Sequence, residues 1–376
     1  MKSFIKSKKL FLILIIFSLL TLVNNISNTI YFSESNPMIS INEEVIYLNN
    51  TNNNISSLKN GIIGVYDDNI QSKKELINLD DSSFVIFGLN SFNYLCYQIF
   101  NYTNNNLINY TFVTTNINFN SVIQNHIHCN VNYCIVALTK SNQFEINEIN
   151  LNSSDSVIDS FVPSGNYIKC SSFQIGKIFC IFGLISGNQG KISYRYYDNK
   201  NIISSKDICS NNCFMGSVDK LKVDSTEKFL VCYQKRISAN VLINDRIICQ
   251  YYELNNNGIN EGDINDNIFD INNQRINQKY IIILNVHDYS VFLKVTYFIG
   301  PNANVAISFF QFFSFDFKIK FEYEEEYQKQ SINVFNDNKY YYDFYYYQSS
   351  MSYILNINPL LQTNPTKEVY FSRNDY

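Results

Sequence analysis

The 376-residue chain has 29 Lys and Arg against 33 Asp and Glu, a formal net charge of −4. This balance excludes nucleic acid as an expected partner, because nucleic-acid binding requires a basic face. The chain contains no Trp, so it lacks the Trp-Asp dipeptides typical of WD40 repeats.

The N-terminus has the pattern of a secretory signal. Four lysines among the first nine residues precede an unbroken apolar run from Leu10 to Val23. The run has about 14 residues, fewer than the ~20 of a membrane-spanning helix, and matches a signal peptide in length. We predict cleavage near Ser27, so that residues 1–27 are removed and residues 28–376 are exported. An uncleaved signal-anchor is the alternative.

Short apolar β-type runs recur along the rest of the chain. They begin at Phe84, Tyr133, Phe179, Phe229 and Tyr280, which are 49, 46, 50 and 51 positions apart. Most are followed by a second strand pattern of alternating apolar and polar residues, as in NYLCYQIFN and KISYRYYDN. A period of about 40–50 residues with four short strands is typical of β-propeller blades.

We therefore predict an all-β protein, a β-propeller of six or seven four-stranded blades over residues 28–376, with few helices. The domain is also consistent with a fragment of a longer surface protein. Tandem β-sandwich domains are the alternative fold, and pairing of strand 84–89 with strand 229–235 would favour them. The five apolar runs are predicted to occupy equivalent places in successive blades: 84–89, 133–138, 179–184, 229–235 and 280–286.

Eight of the nine cysteines are expected to form disulfides in an oxidising compartment. The sequence allows many connectivities, and pairing between sequence neighbours across antiparallel strands of one blade is the preferred one. Cys96 has no such neighbour and is predicted to be unpaired. The predicted pairs are Cys129–Cys134, Cys170–Cys180, Cys209–Cys213 and Cys232–Cys249.

Two stretches resemble metal sites, although no metal or other cofactor is predicted. In HIHCNVNYC, His126 and His128 precede Cys129 and Cys134, but zinc requires thiolates that oxidation removes. In the low-complexity stretch 254–267, expected to be a loop, Asp263, Asn265 and Asn267 alternate without the Gly and Glu of an EF-hand.

Several Asn-x-Ser/Thr sequons would be acceptors for N-linked glycans in an exported chain. Their number is what the abundance of Asn, Ser and Thr produces by chance. The predicted glycosylation sites are Asn49, Asn54, Asn101, Asn109 and Asn152.

No catalytic motif is present, and no catalytic residue is predicted. Glu322, Glu324, Glu325 and Glu326 indicate a solvated acidic patch. We expect a secreted or cell-surface module for binding, adhesion or structure, whose ligand is an unidentified protein or glycan. Contact with a membrane is expected only if the N-terminal segment stays as an anchor. A propeller-type glycoside hydrolase is the alternative, since strands distant in sequence can supply its two carboxylates.

Overall fold

Every regular element in the structure is a β-strand, and the described segments contain no helix. The predicted signal segment, residues 1–27, lies outside the described residues. The computed structural model describes residues 38–41, 44–49, 53–110, 112–151, 155–161, 165–186, 189–223, 226–236, 245–255, 258–270, 281–287, 290–299, 304–313, 319–327, 329–336, 340–347, 352–359 and 367–371.

The strands form seven antiparallel sheets of consecutive strands, which we call blades 1 to 7. Blade 1 contains β1 (Met38–Ile41), β2 (Glu44–Asn49), β3 (Asn54–Ser57) and β4 (Gly61–Val65). Blade 2 contains β5 (Ser72–Asn78), β6 (Ser83–Leu89), β7 (Tyr94–Thr103), β8 (Asn106–Asn109) and β9 (Val113–Asn118). Blade 3 contains β10 (Val122–Asn130), β11 (Tyr133–Lys140), β12 (Phe144–Asn150) and β13 (Asp155–Phe161).

The remaining four blades have the same meander of four strands. Blade 4 contains β14 (Tyr167–Gln174), β15 (Lys177–Ser186), β16 (Gln189–Asp198) and β17 (Asn201–Cys209). Blade 5 contains β18 (Cys213–Val223), β19 (Thr226–Arg236), β20 (Asp245–Asn255) and β21 (Gly258–Asp270). Blade 6 contains β22 (Ile281–His287), β23 (Ser290–Ile299), β24 (Asn304–Phe313) and β25 (Ile319–Tyr327). Blade 7 contains β26 (Lys329–Asn336), β27 (Tyr340–Tyr347), β28 (Ser352–Pro359) and β29 (Lys367–Phe371).

The first strands of the blades lie side by side in a closed ring. In order around it are β1, β5, β10, β14, β18, β22 and β26, and β26 packs against β1. Because each blade extends outward from its first strand, the protein is a seven-bladed β-propeller. The predicted propeller is confirmed. The sandwich alternative is wrong, because strands 84–89 and 229–235 belong to different sheets.

The core lies between the blades. On β6, Val85 and Phe87 pack towards blade 3, whereas Phe84 and Ile86 pack towards blade 1. A second strand is therefore buried on both faces, which explains why these strands are continuous apolar runs rather than alternating ones. The outer strand β17, in contrast, is largely exposed.

Polar contacts also join neighbouring blades. The Glu44 carboxylate of blade 1 accepts a hydrogen bond from the Tyr102 hydroxyl of blade 2 at 2.8 Å. Between blades 3 and 4, one oxygen of Asp159 accepts hydrogen bonds from Arg195 and from the Tyr197 hydroxyl, both at 2.7 Å. Because these carboxylates are paired, they strengthen the joints rather than destabilise them.

One of the five predicted strand equivalences is wrong. The runs that begin at residues 84, 133, 179 and 229 are second strands, but the run at 280–286 falls on β22, the first strand of blade 6. The reason is the greater length of blade 5: its second strand begins at residue 226 and that of blade 6 at residue 290, 64 positions apart, against 49 between the second strands of blades 4 and 5. After β19, a spacing of about 50 residues therefore no longer leads from one second strand to the next.

The intra-blade disulfides expected from the sequence occur in blades 3, 4 and 5. Cys232 lies directly opposite Cys249 on the two middle strands of blade 5, and the two are bonded. The Cys129–Cys134 and Cys170–Cys180 bonds each join the first and second strands of a blade. The Cys209–Cys213 bond is an exception, because it joins the last strand of blade 4 to the first strand of blade 5.

Removal of the Cys232–Cys249 disulfide is expected to lower the free energy of unfolding by about 3 kcal/mol, against about 2 kcal/mol for Cys129–Cys134. The Cys232–Cys249 bond closes a loop of 17 residues and the Cys129–Cys134 bond a loop of 5. When a disulfide is removed, the unfolded chain gains more conformational entropy if the loop that the bond closed was longer. Equilibrium denaturation of the two double-alanine variants measures both losses. A greater loss for the shorter loop would contradict this account.

Candidate functional site

Blade 2 differs from the other blades in its outer strand. The third strand, β7, pairs with β8 through residues 100–103 and with β9 through residues 94–97. The outer strand is therefore interrupted between Asn109 and Val113. Irregularities of this kind redirect side chains at sheet edges and are frequent beside functional sites.

Gln98 bridges this interruption. Its Nε2 donates to the carbonyl oxygen of Tyr110 at 3.1 Å, and its Oε1 accepts from the backbone N–H of Asp67 at 2.9 Å. The side chain is buried, so both ends of the amide are satisfied inside the protein. The interrupted strand is thereby attached to the segment that connects blades 1 and 2.

The Phe92 turn (residues 90–94) joins β6 to β7 and presents an aromatic ring to solvent. Phe92 is 74% exposed. Asn90 Oδ1 accepts the backbone N–H groups of Phe92 and Tyr94, both at 3.0 Å. Asn93 has φ 61°, a left-handed conformation that Asn tolerates. The exposed ring is therefore carried by a backbone with a fixed conformation.

The Phe92 turn is also bonded to the segment that connects blades 2 and 3. The carbonyl oxygen of Asn93 accepts from the Phe119 backbone N–H at 2.8 Å, and Asn93 Nδ2 donates to Asn120 Oδ1 at 3.2 Å. Ile123, which follows this segment, is 58% exposed. This end of blade 2 thus offers several apolar groups to solvent on rigid supports.

A cavity of about 410 Å³ lies at the opposite end of blade 2, next to blade 3. Its position follows from the turn at residues 79–83, which joins β5 to β6 at the end of β6 away from the Phe92 turn. With seven residues, β6 separates the two ends by roughly 23 Å. Ser83 and Asn101 supply polar groups to the cavity. Its apolar and aromatic walls include Leu79, Tyr97, Ile99, Tyr110, Val131 and Leu151.

The predicted glycosylation sites are spread over blades 1 to 3. Asn109 is exposed at the end of β8, and Asn54 and Asn101 are half-buried. Asn49 is the last residue of β2, and Asn152 lies outside the described residues. Of the five, Asn101 lines the cavity. Glycosylation itself stays a prediction.

His126 and His128 lie on β10 and face the unpaired inner edge of β14. His126 Nδ1 accepts from the backbone N–H of Cys170 at 3.3 Å, and His128 Nε2 donates to the carbonyl oxygen of Ser172 at 3.3 Å. The imidazoles therefore satisfy backbone groups that no strand pairs. The zinc alternative is wrong, because Cys129 and Cys134 are bonded to each other.

Burial lowers the pKa of both histidines. For His126 the loss of hydration is the larger cause, and with repulsion from Lys169 it lowers the pKa to about 3. For His128 burial is again the first cause, followed by Lys220 and His126, and the pKa lies well below its usual value. Both imidazoles are neutral at pH 7, and His126 Nδ1 can accept its hydrogen bond only in that form.

The structure leaves Cys96 as a free, buried cysteine. Its Sγ donates to the carbonyl oxygen of Gly88, the residue directly opposite on β6, at 3.2 Å. Burial raises the pKa of this thiol to about 12, and the charge of Asp67 adds to the effect. The thiol is therefore protonated and poorly reactive.

The other sequence candidates are dispersed. The part of the chain that the structure describes holds no group of three or more His, Cys, Asp or Glu side chains placed to bind a metal. Asp263, Asn265 and Asn267 lie on β21, so the loop expected at 254–267 is wrong: residues 254–255 end β20 and residues 258–267 belong to β21. The acidic residues at 322–326 lie on β25. No helix that could cross a bilayer is found among the described residues.

No known family model matches the chain, and no curated protein is significantly similar to it in sequence. Solved structures of similar fold include BamB from Moraxella catarrhalis, with 8% identity over 89% of this chain and 87% of that one, at a TM-score of 0.41. The WD40 domain of SCAP from fission yeast has 9% identity over 86% of this chain and 81% of that one, at a TM-score of 0.40. A hypothetical selenium-binding protein from Sulfolobus tokodaii has 9% identity over 78% of this chain and 77% of that one, at a TM-score of 0.48. These values transfer no function to this chain.

Sequence reasoning missed both ends of blade 2. The Phe92 turn had a readable signal, since NSFNY places Asn before and after an apolar residue between two strand patterns. The cavity had none. It depends on the register of β8 and β9 against β7, which no local pattern specifies.

The free energy of unfolding is expected to fall as the pH drops from about 6.5 towards 3. In this range the unfolded chain binds a proton at residue 126 that the folded protein does not bind, which costs up to about 1.4 kcal/mol per pH unit. Denaturation at pH 7.5 and 5.0 tests this. His126→Asn should show a shallower pH dependence than the wild type, and an unchanged dependence would contradict the assignment.

Proposed function

We propose that the protein is an exported binding module, a rigid propeller that recognises a partner protein through the Phe92 turn. Export is supported by the N-terminal apolar run and by four disulfides, which persist in oxidising compartments. The ring supplies a stable framework, and turns at its faces are suited to recognition.

The exposure of Phe92 on a fixed turn is the observation that carries this proposal. Aromatic side chains are frequent anchors in protein interfaces, where a few residues supply most of the binding energy. The bonds of Asn90 and Asn93 fix the turn before binding. The entropy lost on association is therefore smaller than for a mobile loop.

The surroundings of Phe92 suit an interface with a protein. Tyr94 is 36% exposed and Ile123 58% exposed, so apolar area extends beyond the single ring. Lys73, which follows the first residue of β5, lies over the Phe119 ring at 5.9 Å and adds a cation at this end of the blade. A partner with an apolar pocket and an acidic rim fits this combination. The hydrolase alternative has no comparable observation in its favour.

Export is expected to leave a mature chain that begins between about Asn24 and Thr29, because signal cleavage follows the apolar run. N-terminal sequencing of material recovered from the medium measures this. Recovery of an intact Met1 on a membrane-bound product would favour the signal-anchor. In that case the protein would still be displayed at the cell surface. Retention of the whole chain in the cytoplasm would contradict export.

Phe92→Ala is expected to weaken binding of the purified protein to intact cells of the producing organism by about 30-fold, the effect of losing an interface anchor. Flow cytometry with fluorescently labelled protein gives the binding curve. The thermal unfolding midpoint should change little, since Phe92 is 74% exposed.

Ile175→Ala provides the matched control. Ile175 is an apolar residue, 50% exposed, in the turn that joins β14 to β15 at the other face of the ring. Its substitution should leave the binding curve unchanged. Equal binding by wild type and Phe92→Ala, or an equal loss in both variants, would contradict the assigned surface.

A further inference from the structure

We propose that the cavity between blades 2 and 3 holds the first sugars of an N-linked glycan carried by Asn101. The inference rests on the export part of the proposed function, because N-glycans are added in the secretory pathway. It assigns the cavity to an attached group of this chain and leaves the Phe92 turn at the opposite face free to bind.

Asn101 is placed to deliver a glycan into the cavity. It lies on β7, opposite Ser83 on β6 and Ile108 on β8. On the same face of β7, Tyr97 and Ile99 form the deeper wall, and Asn101 supplies a polar group next to them. Any group attached to its Nδ2 starts beside the cavity rather than in open solvent.

The other two residues of the sequon do not compete for this space. The Tyr102 side chain points to the opposite face, where it is buried and bonded to Glu44. Thr103 is exposed at the end of β7. The Asn101 amide is therefore the part of the sequon that contributes to the cavity wall.

The size and walls of the cavity fit a sugar. Its volume of about 410 Å³ lies in the range of roughly 300–1,000 Å³ found for small-molecule sites. Sugar rings have apolar faces that pack on aromatic side chains, and Tyr110 stands 53% exposed at the cavity. Ser83 and the Asn101 backbone supply hydrogen-bonding groups nearby.

Exposed apolar groups around the cavity favour an occupant. Tyr110 and Val131 are each 53% exposed and Val113 is 36% exposed, although all three line a concave surface. Covering this area gains free energy in proportion to the apolar surface removed from water. A glycan fixed at Asn101 is always close to the cavity, so its packing does not cost the translational entropy that a free ligand loses on binding.

The attachment precedes folding, so the half-buried position of Asn101 does not prevent it. The donor is a lipid-diphosphate-linked oligosaccharide. A bond forms between Asn101 Nδ2 and C1 of the first sugar, the bond from C1 to the diphosphate oxygen breaks, the amide loses one proton, and the lipid diphosphate leaves. The chain then folds with the sugar already in place.

The test uses the full chain, produced with its own N-terminus in a eukaryotic host and recovered from the medium. Glycopeptide mass spectrometry reports occupancy of Asn101 and Asn109. Peptide-N-glycosidase is then applied to the native and to the denatured protein. Release from native Asn101 should be at least about tenfold slower than from the denatured chain, because it requires local opening of the cavity.

Asn109 provides the internal comparison, since it is exposed at the end of β8. A glycan there should be released at similar rates from native and denatured protein. Val131→Ala, which removes exposed apolar atoms from the cavity wall and lies outside both sequons, should accelerate release from native Asn101. It should not alter release from Asn109.

The outcomes separate the two proposals. An exported protein without a glycan on Asn101, or with one released equally fast before and after denaturation, overturns the inference and leaves export intact. A chain that stays in the cytoplasm without any glycan overturns both. Slow release at native Asn101 that Val131→Ala accelerates supports the inference.

Discussion

Blades 2 to 4 each pack apolar side chains against both neighbouring blades, and the rest of the structure depends on this packing. Val85 and Phe87 pack towards blade 3, while Phe84 and Ile86 of the same strand pack towards blade 1. At the inner edge of β14, the backbone N–H of Cys170 donates to His126 of the preceding blade. The stability of each of these blades is therefore shared with the blades beside it.

This shared stability allows one blade to depart from the common pattern. Blade 2 has an interrupted outer strand, yet Gln98 closes the break with two hydrogen bonds and the neighbouring blades keep their contacts. The interruption opens a cavity at one end, while the turn at the other end exposes Phe92. The regular blades thus act as a framework for an irregular one.

The sequence contained the architecture but only part of the site. Continuous apolar runs indicated second strands because those strands are buried on both faces. The prediction was wrong at β22, a first strand whose sequence IIILNVH is equally apolar. Neighbouring cysteines were sufficient to predict cross-strand disulfides. The sequence did not indicate that Cys209 ends blade 4, so that its disulfide joins two blades. The cavity depends on strand register, which arises from tertiary packing rather than local pattern.

The closure of the ring has a mechanical consequence. Each described sheet consists of consecutive strands, and blade 7 meets blade 1 where β26 lies beside β1, without a strand shared between the two described sheets. At the other six joints the polypeptide itself crosses from blade to blade. Among the described strands, pulling the ring apart therefore meets covalent continuity at six joints and non-covalent contact at the joint between blades 7 and 1. Under tension we expect the described blades to separate first at this seam, with the hydrogen bonds inside each blade intact.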